Sequence, residues 1–256
     1  MKLGIIGAGN MAAAMARGWH GAEDGPESIL LSDSGSGRAG RLAAEIGGEA
    51  VARNAELVER SDLIVLAVKP AALDAVATEI SGADKTVISV LGATSLARLR
   101  EALPGAPLVT AMPNVAVEVR RGVICWAASE DLDSAARERI EALLSLLGTA
   151  IELDESLIDP ASAVMGCSPA YIALFAEALT DAGVREGLPE TQAQLMVTET
   201  LAGTAALLEV HDTLRLRRAV ASPGGSTAAG LAALERSSLR AAIGDAVTAS
   251  LQRMRA

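Results

Sequence analysis

The chain has 256 residues, half of them hydrophobic and only 2% aromatic, so its core must be built from Ala, Val, Ile and Leu. A net charge of −10 argues against nucleic acid or any other polyanionic partner. The two cysteines, Cys125 and Cys167, have no spacing for zinc or for a disulfide framework; no metal is expected, and a cytoplasmic home is the default.

Met1–Ile6 is a short apolar run that enters a glycine turn, too short for a signal peptide. No segment is expected to reach the ~18 apolar residues of a membrane span. Strands are predicted over Leu3–Gly7, Ile29–Ser32, Leu63–Val68, Thr86–Val90, Pro107–Ala111 and Gly122–Trp126. Helical segments lie between them, among them Met11–His20, Arg38–Ile46 and Ala71–Ile80. This alternation is that of a doubly wound, mostly parallel α/β sheet. A helix over Asp133–Leu147, stopped by Gly148, and a strand over Thr149–Leu153 close a dinucleotide-binding Rossmann domain of residues 1–153.

From residue 154 to 256 the pattern is all-α. Ser168-Pro169 reads as an N-cap with proline at the first helical position, starting a helix towards Arg185. Gly187 ends it and Pro189 opens the next, which runs to about Val210. Within Thr191–Leu208 the only charged residue is Glu199. So little polar surface demands burial nearly all round, and a second copy of the chain is expected to supply it, as a homodimer or a larger assembly of dimers.

Gly7-Ala8-Gly9-Asn10-Met11-Ala12 follows the first strand and opens a helix, which fits the dinucleotide pattern with alanine in its third place. Its first glycine serves the tight turn, its second lets backbone approach a pyrophosphate, and the helix start supplies N–H donors. Ala67-Val68-Lys69-Pro70 ends a strand at the edge where ligands collect, and Lys69 could reach a ribose or phosphate or be merely solvated. Asn54, ahead of a helix, can be a ligand or only a cap. Asp33, at the end of the second strand, stands where an acid accepts hydrogen bonds from the ribose 2′-hydroxyl of NAD and repels a 2′-phosphate. With Ser32, Ser34, Ser36 and Arg38 beside it, the expectation is weak preference for NADPH or use of both cofactors.

Reduction of a carbonyl needs a proton donor at oxygen. The three lysines, Lys2, Lys69 and Lys85, all lie outside the helical region; Tyr171 has no lysine four residues on, and with His20 in the first helix and His211 at a helix end a His–Asp pair in the substrate domain lacks support. A protonated imine demands less, because it takes hydride at carbon and becomes a neutral amine. Ser222-Pro223-Gly224-Gly225-Ser226-Thr227 precedes a helix, where paired glycines and a helix start can seat a carboxylate and Thr227 can bond a ring nitrogen; a plain capped turn is the other reading.

Together these motifs resemble the pyrroline-5-carboxylate reductase family along nearly the whole chain: Ile6-Gly7-Ala8-Gly9-Asn10-Met11, Ala67-Val68-Lys69-Pro70, Ala111-Met112-Pro113-Asn114, Ser168-Pro169-Ala170-Tyr171 and Ser222–Thr227. The resemblance implies reduction of 1-pyrroline-5-carboxylate to L-proline with NADP(H) or NAD(H), by a Rossmann domain followed by a helical dimerisation domain. It assigns cofactor contacts to the glycine turn, Asn54, Ala67–Pro70 and Met112, Pro113 and Asn114. It assigns substrate contacts to Gly225, Ser226 and Thr227, with Gly166, Cys167 and Ser168 nearby. The chain departs from the family at Val115-Ala116, Met165-Gly166-Cys167 and Asp212–Ala219. Reduction of a six-membered cyclic imine, and a nucleotide-binding paralogue without activity, are the alternatives.

Overall fold

A computed structural model describes residues 1–82 and 84–255. By internal contacts the chain forms two compact units, one of Met1–Cys167 with the last residues from Leu251, the other Ser168–Ser250.

The N-terminal unit is built on an eight-stranded sheet of order β3-β2-β1-β4-β5-β6-β7-β8. The strands are β1 (Lys2–Ile6), β2 (Ser28–Ser32), β3 (Glu49–Ala50), β4 (Leu63–Leu66), β5 (Thr86–Ser89), β6 (Leu108–Pro113), β7 (Gly122–Ala128) and β8 (Gly148–Glu152). All neighbours pair in parallel except β6 and β7. The central strands are apolar on both faces because helices cover both. One face holds α1 (Asn10–His20), α2 (Arg38–Ile46) and α6 (Ser134–Ser145) over Leu3, Ile5, Val65 and Val109; the other holds α3 (Asn54–Arg60), α4 (Leu73–Glu79) and α5 (Leu96–Ala102) over Ile6, Ile64, Leu66 and Val87. Both tryptophans are in the first core, fully buried, with the Trp19 indole N–H donating to the Leu143 carbonyl at 2.9 Å.

Three local expectations are corrected. Gly148 does not stop α6, whose C-cap is Leu146; it begins β8 with φ +138, and a Cβ there would lie 2.1 Å from the Gly122 carbonyl oxygen. Glycine is required by the close approach of two strands. Ser168 does not start a fresh helix. A short helix α7 (Ile158–Ala161) and a π-helical turn, Ser162–Gly166, lead through Cys167 into α8 (Ser168–Arg185). The whole stretch Glu155–Arg185 is thereby long and apolar enough to cross a membrane by length and composition, where no such segment was expected. The two-residue β3 was also missed, being too short for any periodicity.

In the helical unit, Gly187 at φ +96 turns the chain from α8 into α9 (Glu190–Val210), followed by α10 (Thr213–Val220), α11 (Ser226–Arg236) and α12 (Leu239–Met254). The Gly183 Cβ position is 3.5 Å from Ala193 Cβ, so α8 and α9 pack closely there. Of α9 only Ala193 and Val197 are buried; Leu195 and Met196 remain 60% and 53% exposed in a single copy.

Candidate functional site

Parallel pairing brings the carboxyl ends of β1, β4, β5 and β6 to one edge of the sheet. The glycine turn begins there after Ile6. Gly7 has φ +101, and a Cβ on it would sit 2.5 Å from the Ala67 carbonyl oxygen, so it is required by the fold itself. Gly9 differs: its backbone is ordinary (φ −75), and a Cβ would meet no protein atom within 4 Å. The room beside Gly9 is therefore left for something outside the chain. Gly9 caps α1 without a side-chain bond, so the first-turn N–H groups around Asn10 and Met11 have no cap from the chain. Open space, free donors and the helix dipole fit a pyrophosphate.

Asp33 follows β2 at this edge, but its carboxylate turns inward. Oδ1 accepts the Gly35 N–H at 2.8 Å; Oδ2 accepts the Ser36 hydroxyl at 2.8 Å and the Ala39 N–H at 2.9 Å. The Ala39 N–H above all, with Ser36 and Gly35, holds its pKa down at about 2. Asp33 therefore does not present its carboxylate as the open acceptor for a ribose 2′-hydroxyl that its position suggests. Arg41 stands one helical turn after Arg38 on α2, and its guanidinium lies 3.3 Å from where a Cβ on Gly37 would be.

Asn54 is not the cap of α3, a place taken by Arg53. Its Oδ1 accepts the hydroxyl of buried Ser32 at 2.6 Å, and its Nδ2 donates to Glu79 at 2.6 Å, which ties α3 to the end of β2 and to α4. Ala67 and Val68 follow β4, and exposed Lys69 caps the 3-10 turn Pro70–Ala72 through its carbonyl, with no ion pair to its ammonium among the described residues. Met112 and Pro113 end β6. Buried Asn114 follows; its Nδ2 donates to the Met165 carbonyl at 3.1 Å and its Oδ1 accepts the Val123 N–H at 3.2 Å. Gly166 and Cys167 lie at the end of the π-helical turn that carries Met165, next to Ser168.

In the helical unit Ser222–Thr227 forms a turn closed by the Gly225 N–H on the Ser222 carbonyl at 3.0 Å. Gly224 adopts φ +72; Gly225 is confined otherwise, since a Cβ would fall 2.6 Å from Ser222 Oγ. Gly225 caps α11 with no side-chain bond, leaving Ser226 and exposed Thr227 in a first turn open to an anion. Tyr171 is committed within the same unit, bonded to Ser250 Oγ at 2.6 Å.

A cavity of about 830 Å³ in the N-terminal unit is lined by Leu96, Arg100, Ala128, Asp131, Glu152 and Glu155, among others. It includes none of the residues above. Ala128 pairs with Val109 near the start of β6, so it sits at the opposite sheet edge, and its arginines are matched: Arg100 by Asp131, Arg137 by Glu152. The glycine-turn edge is the better ligand site.

A Rossmann sheet with an open glycine turn, joined to an α-helical region, defines a nucleotide-dependent oxidoreductase. Residues 2–92 match the family described as NADP oxidoreductase, coenzyme F420-dependent, and residues 155–256 match pyrroline-5-carboxylate reductase dimerisation. The pyrroline-5-carboxylate reductase of Synechocystis sp. is 36% identical, with 99% of this chain and 97% of that protein aligned. That of Pseudomonas aeruginosa is 35% identical over 98% and 95%. The crystal structure of Plasmodium falciparum pyrroline carboxylate reductase with NADP bound superposes with a TM-score of 0.90 at 29% identity, covering 99% of this chain and 97% of the other. The chain belongs to the pyrroline-5-carboxylate reductase family.

Proposed function

We propose that the protein reduces 1-pyrroline-5-carboxylate to L-proline with NADPH. Beyond family membership, the observation that carries this reading is the pair of uncapped helix starts. One, behind Gly9, suits a pyrophosphate; the other, behind Gly225, suits a carboxylate. NADPH supplies the hydride that adds to the imine carbon.

The chain's own work is binding and orientation. Gly7–Met11 hold the pyrophosphate, with Asn54, Ala67–Pro70 and Met112–Asn114 shaping the rest of the nucleotide site. The N–H groups of Gly225 and Ser226 hold the substrate carboxylate, and Gly224 sets the turn that aims them. Thr227 Oγ bonds the ring nitrogen and steadies it as its positive charge disappears. Gly166, Cys167 and Ser168 border the substrate. No strong acid is required, because the imine enters already protonated and leaves as an amine.

Residues 154–256 are assigned as the dimerisation and substrate domain. The apolar surfaces of α8 and α9, Leu195 and Met196 among them, are covered by a second copy, so the long apolar run Glu155–Arg185 is an interface and not a membrane span. A cytoplasmic enzyme suits the two free cysteines.

The test is purified protein with NADPH and a panel of five- and six-membered cyclic imino acids. Turnover fastest with 1-pyrroline-5-carboxylate supports the reading. Preference for a six-membered ring would replace the substrate, and no turnover with any would remove the activity.

A further inference from the structure

We infer that Asp33 is a positioning residue, folding the loop Ser34–Gly37 into a cradle for the 2′-phosphate of NADPH, with Arg38 and Arg41 as the charged partners of that phosphate. The inference rests on the reading of the glycine turn as the nucleotide site. An aspartate that selects NAD must point its oxygens out at the ribose. Here both point into the loop, where Gly35 (φ +88) and Gly37 (φ +70) let the backbone wrap round the carboxylate. By reaching the Ala39 N–H, Asp33 caps α2 from six residues away, since Gly37 at the cap position has no side chain to do so. Its negative charge is met by two donors from its own loop and one from the first turn of α2.

What the loop turns outward is basic and hydroxylic. Arg38 and Arg41 stand at i and i+3 on α2, on one side of the helix. Arg41 Nη1 lies 3.3 Å from where a Cβ on Gly37 would be, so this guanidinium folds back over the loop. Neither arginine makes an ion pair among the described residues, whereas Arg17, Arg60, Arg98 and Arg100 are each matched to an acid. In a chain of net charge −10, two exposed and unmatched guanidiniums beside the exposed hydroxyl of Ser34 are a setting for a dianion. The sign of cofactor selection is thereby reversed from the one that the position of Asp33 alone implies.

Equilibrium binding of NADP⁺ and of NAD⁺, measured by calorimetry, tests this without turnover. The wild type prefers NADP⁺. Arg41→Ala and Asp33→Ala each lower the ratio of NADP⁺ to NAD⁺ affinity by about tenfold or more, the usual effect of a lost charge-assisted bond, while NAD⁺ affinity stays within about twofold. Asp33→Asn, which keeps one carbonyl acceptor, falls between. A ratio that rises in Asp33→Ala would show that the carboxylate repels the phosphate and would overturn the inference. So would equal loss of both nucleotides in that variant, or an unchanged ratio in Arg41→Ala. In these cases wild-type binding of NAD⁺ leaves the glycine-turn site standing; a wild type that binds neither nucleotide overturns both.

Discussion

Asn114 Nδ2 donates to the carbonyl of Met165 at 3.1 Å, and that carbonyl stands four residues before Pro169. Proline has no N–H to give it and its ring crowds that position. The π-helical turn Ser162–Gly166 relieves the crowding, and Asn114 replaces the missing donor. The Asn of the Met-Pro-Asn turn and the Pro of Ser-Pro-Ala-Tyr, far apart in sequence, thus serve one hydrogen bond. Asn114→Ala should lower unfolding free energy by about 1–3 kcal/mol, because it also strands the Val123 N–H. Urea denaturation reads this directly; an unchanged midpoint would mean that water substitutes for the side chain.

The two glycines of the turn should separate fold from binding. Gly7→Ala forces a Cβ to within 2.5 Å of the Ala67 carbonyl oxygen at a positive φ, so the melting temperature falls. Gly9→Ala meets nothing within the chain, so the protein melts like wild type. In the proposed nucleotide site its methyl group would take the pyrophosphate's place, and NADP⁺ affinity should drop by at least about tenfold, corresponding to ~1.4 kcal/mol. Normal binding by the Gly9→Ala variant would move the nucleotide elsewhere.

Acid should loosen the loop after β2. The Asp33 carboxyl is held at about 2 in the folded chain against an ordinary 3.8. A depressed folded pKa gives stability that is complete above the unfolded value and is lost as pH falls from about 4 towards 2. Asp33→Asn removes that ionisation, so the variant should be less stable than wild type at neutral pH and lose less on acidification. Parallel stability curves for the two proteins across that window would contradict the hydrogen bonding described here.

Leu195, two residues from each of Ala193 and Val197, lies on the opposite side of α9 from these two buried residues, with exposed Met196 beside it. Leu195→Asp places a charge in the proposed self-association surface, where an unpaired buried charge would cost several kcal/mol. Sedimentation at micromolar concentration should show the wild type as a dimer or larger and the variant shifted to a smaller species. An unaltered profile would place the interface on another face.

Thr227→Val keeps the shape of the first turn of α11 and removes its hydroxyl. With NADP⁺ binding intact, kcat/KM for the imine should fall about 5–150-fold, equivalent to ~1–3 kcal/mol. Wild-type kinetics would take Thr227 out of the substrate site.

Much of the α/β order is legible from residues alone, since β1, β2, β4 and β5 are short apolar runs ended by turn residues. The direction of a side chain is not. Whether Asp33 faces a ribose or its own loop depends on Gly35 and Gly37 adopting positive φ, which sequence permits but does not demand. Asn54 looks like a cap because asparagine favours helix starts, yet buried Ser32, a neighbour only through the sheet, claims its carbonyl oxygen. Ser168-Pro169 carries every mark of a helix start, and only the preceding π-helical turn shows that the chain is already helical there. The sparse charge on α9 corresponds to apolar residues that one copy leaves exposed, Leu195 and Met196 among them.

The placement of the aromatic residues has an optical consequence. Trp19 and Trp126, the only tryptophans, both sit in the dry core of the N-terminal unit, and the single tyrosine, Tyr171, is in the helical unit. Indole emission therefore reports on the Rossmann core alone. Separating two copies of the chain leaves both indoles in unchanged surroundings and should pass unseen by tryptophan fluorescence, while melting of the sheet shifts the emission to the red. A fluorescence-detected unfolding curve of this enzyme follows the N-terminal unit, and any uncoupling of the helical unit becomes visible only by comparison with circular dichroism of the same sample.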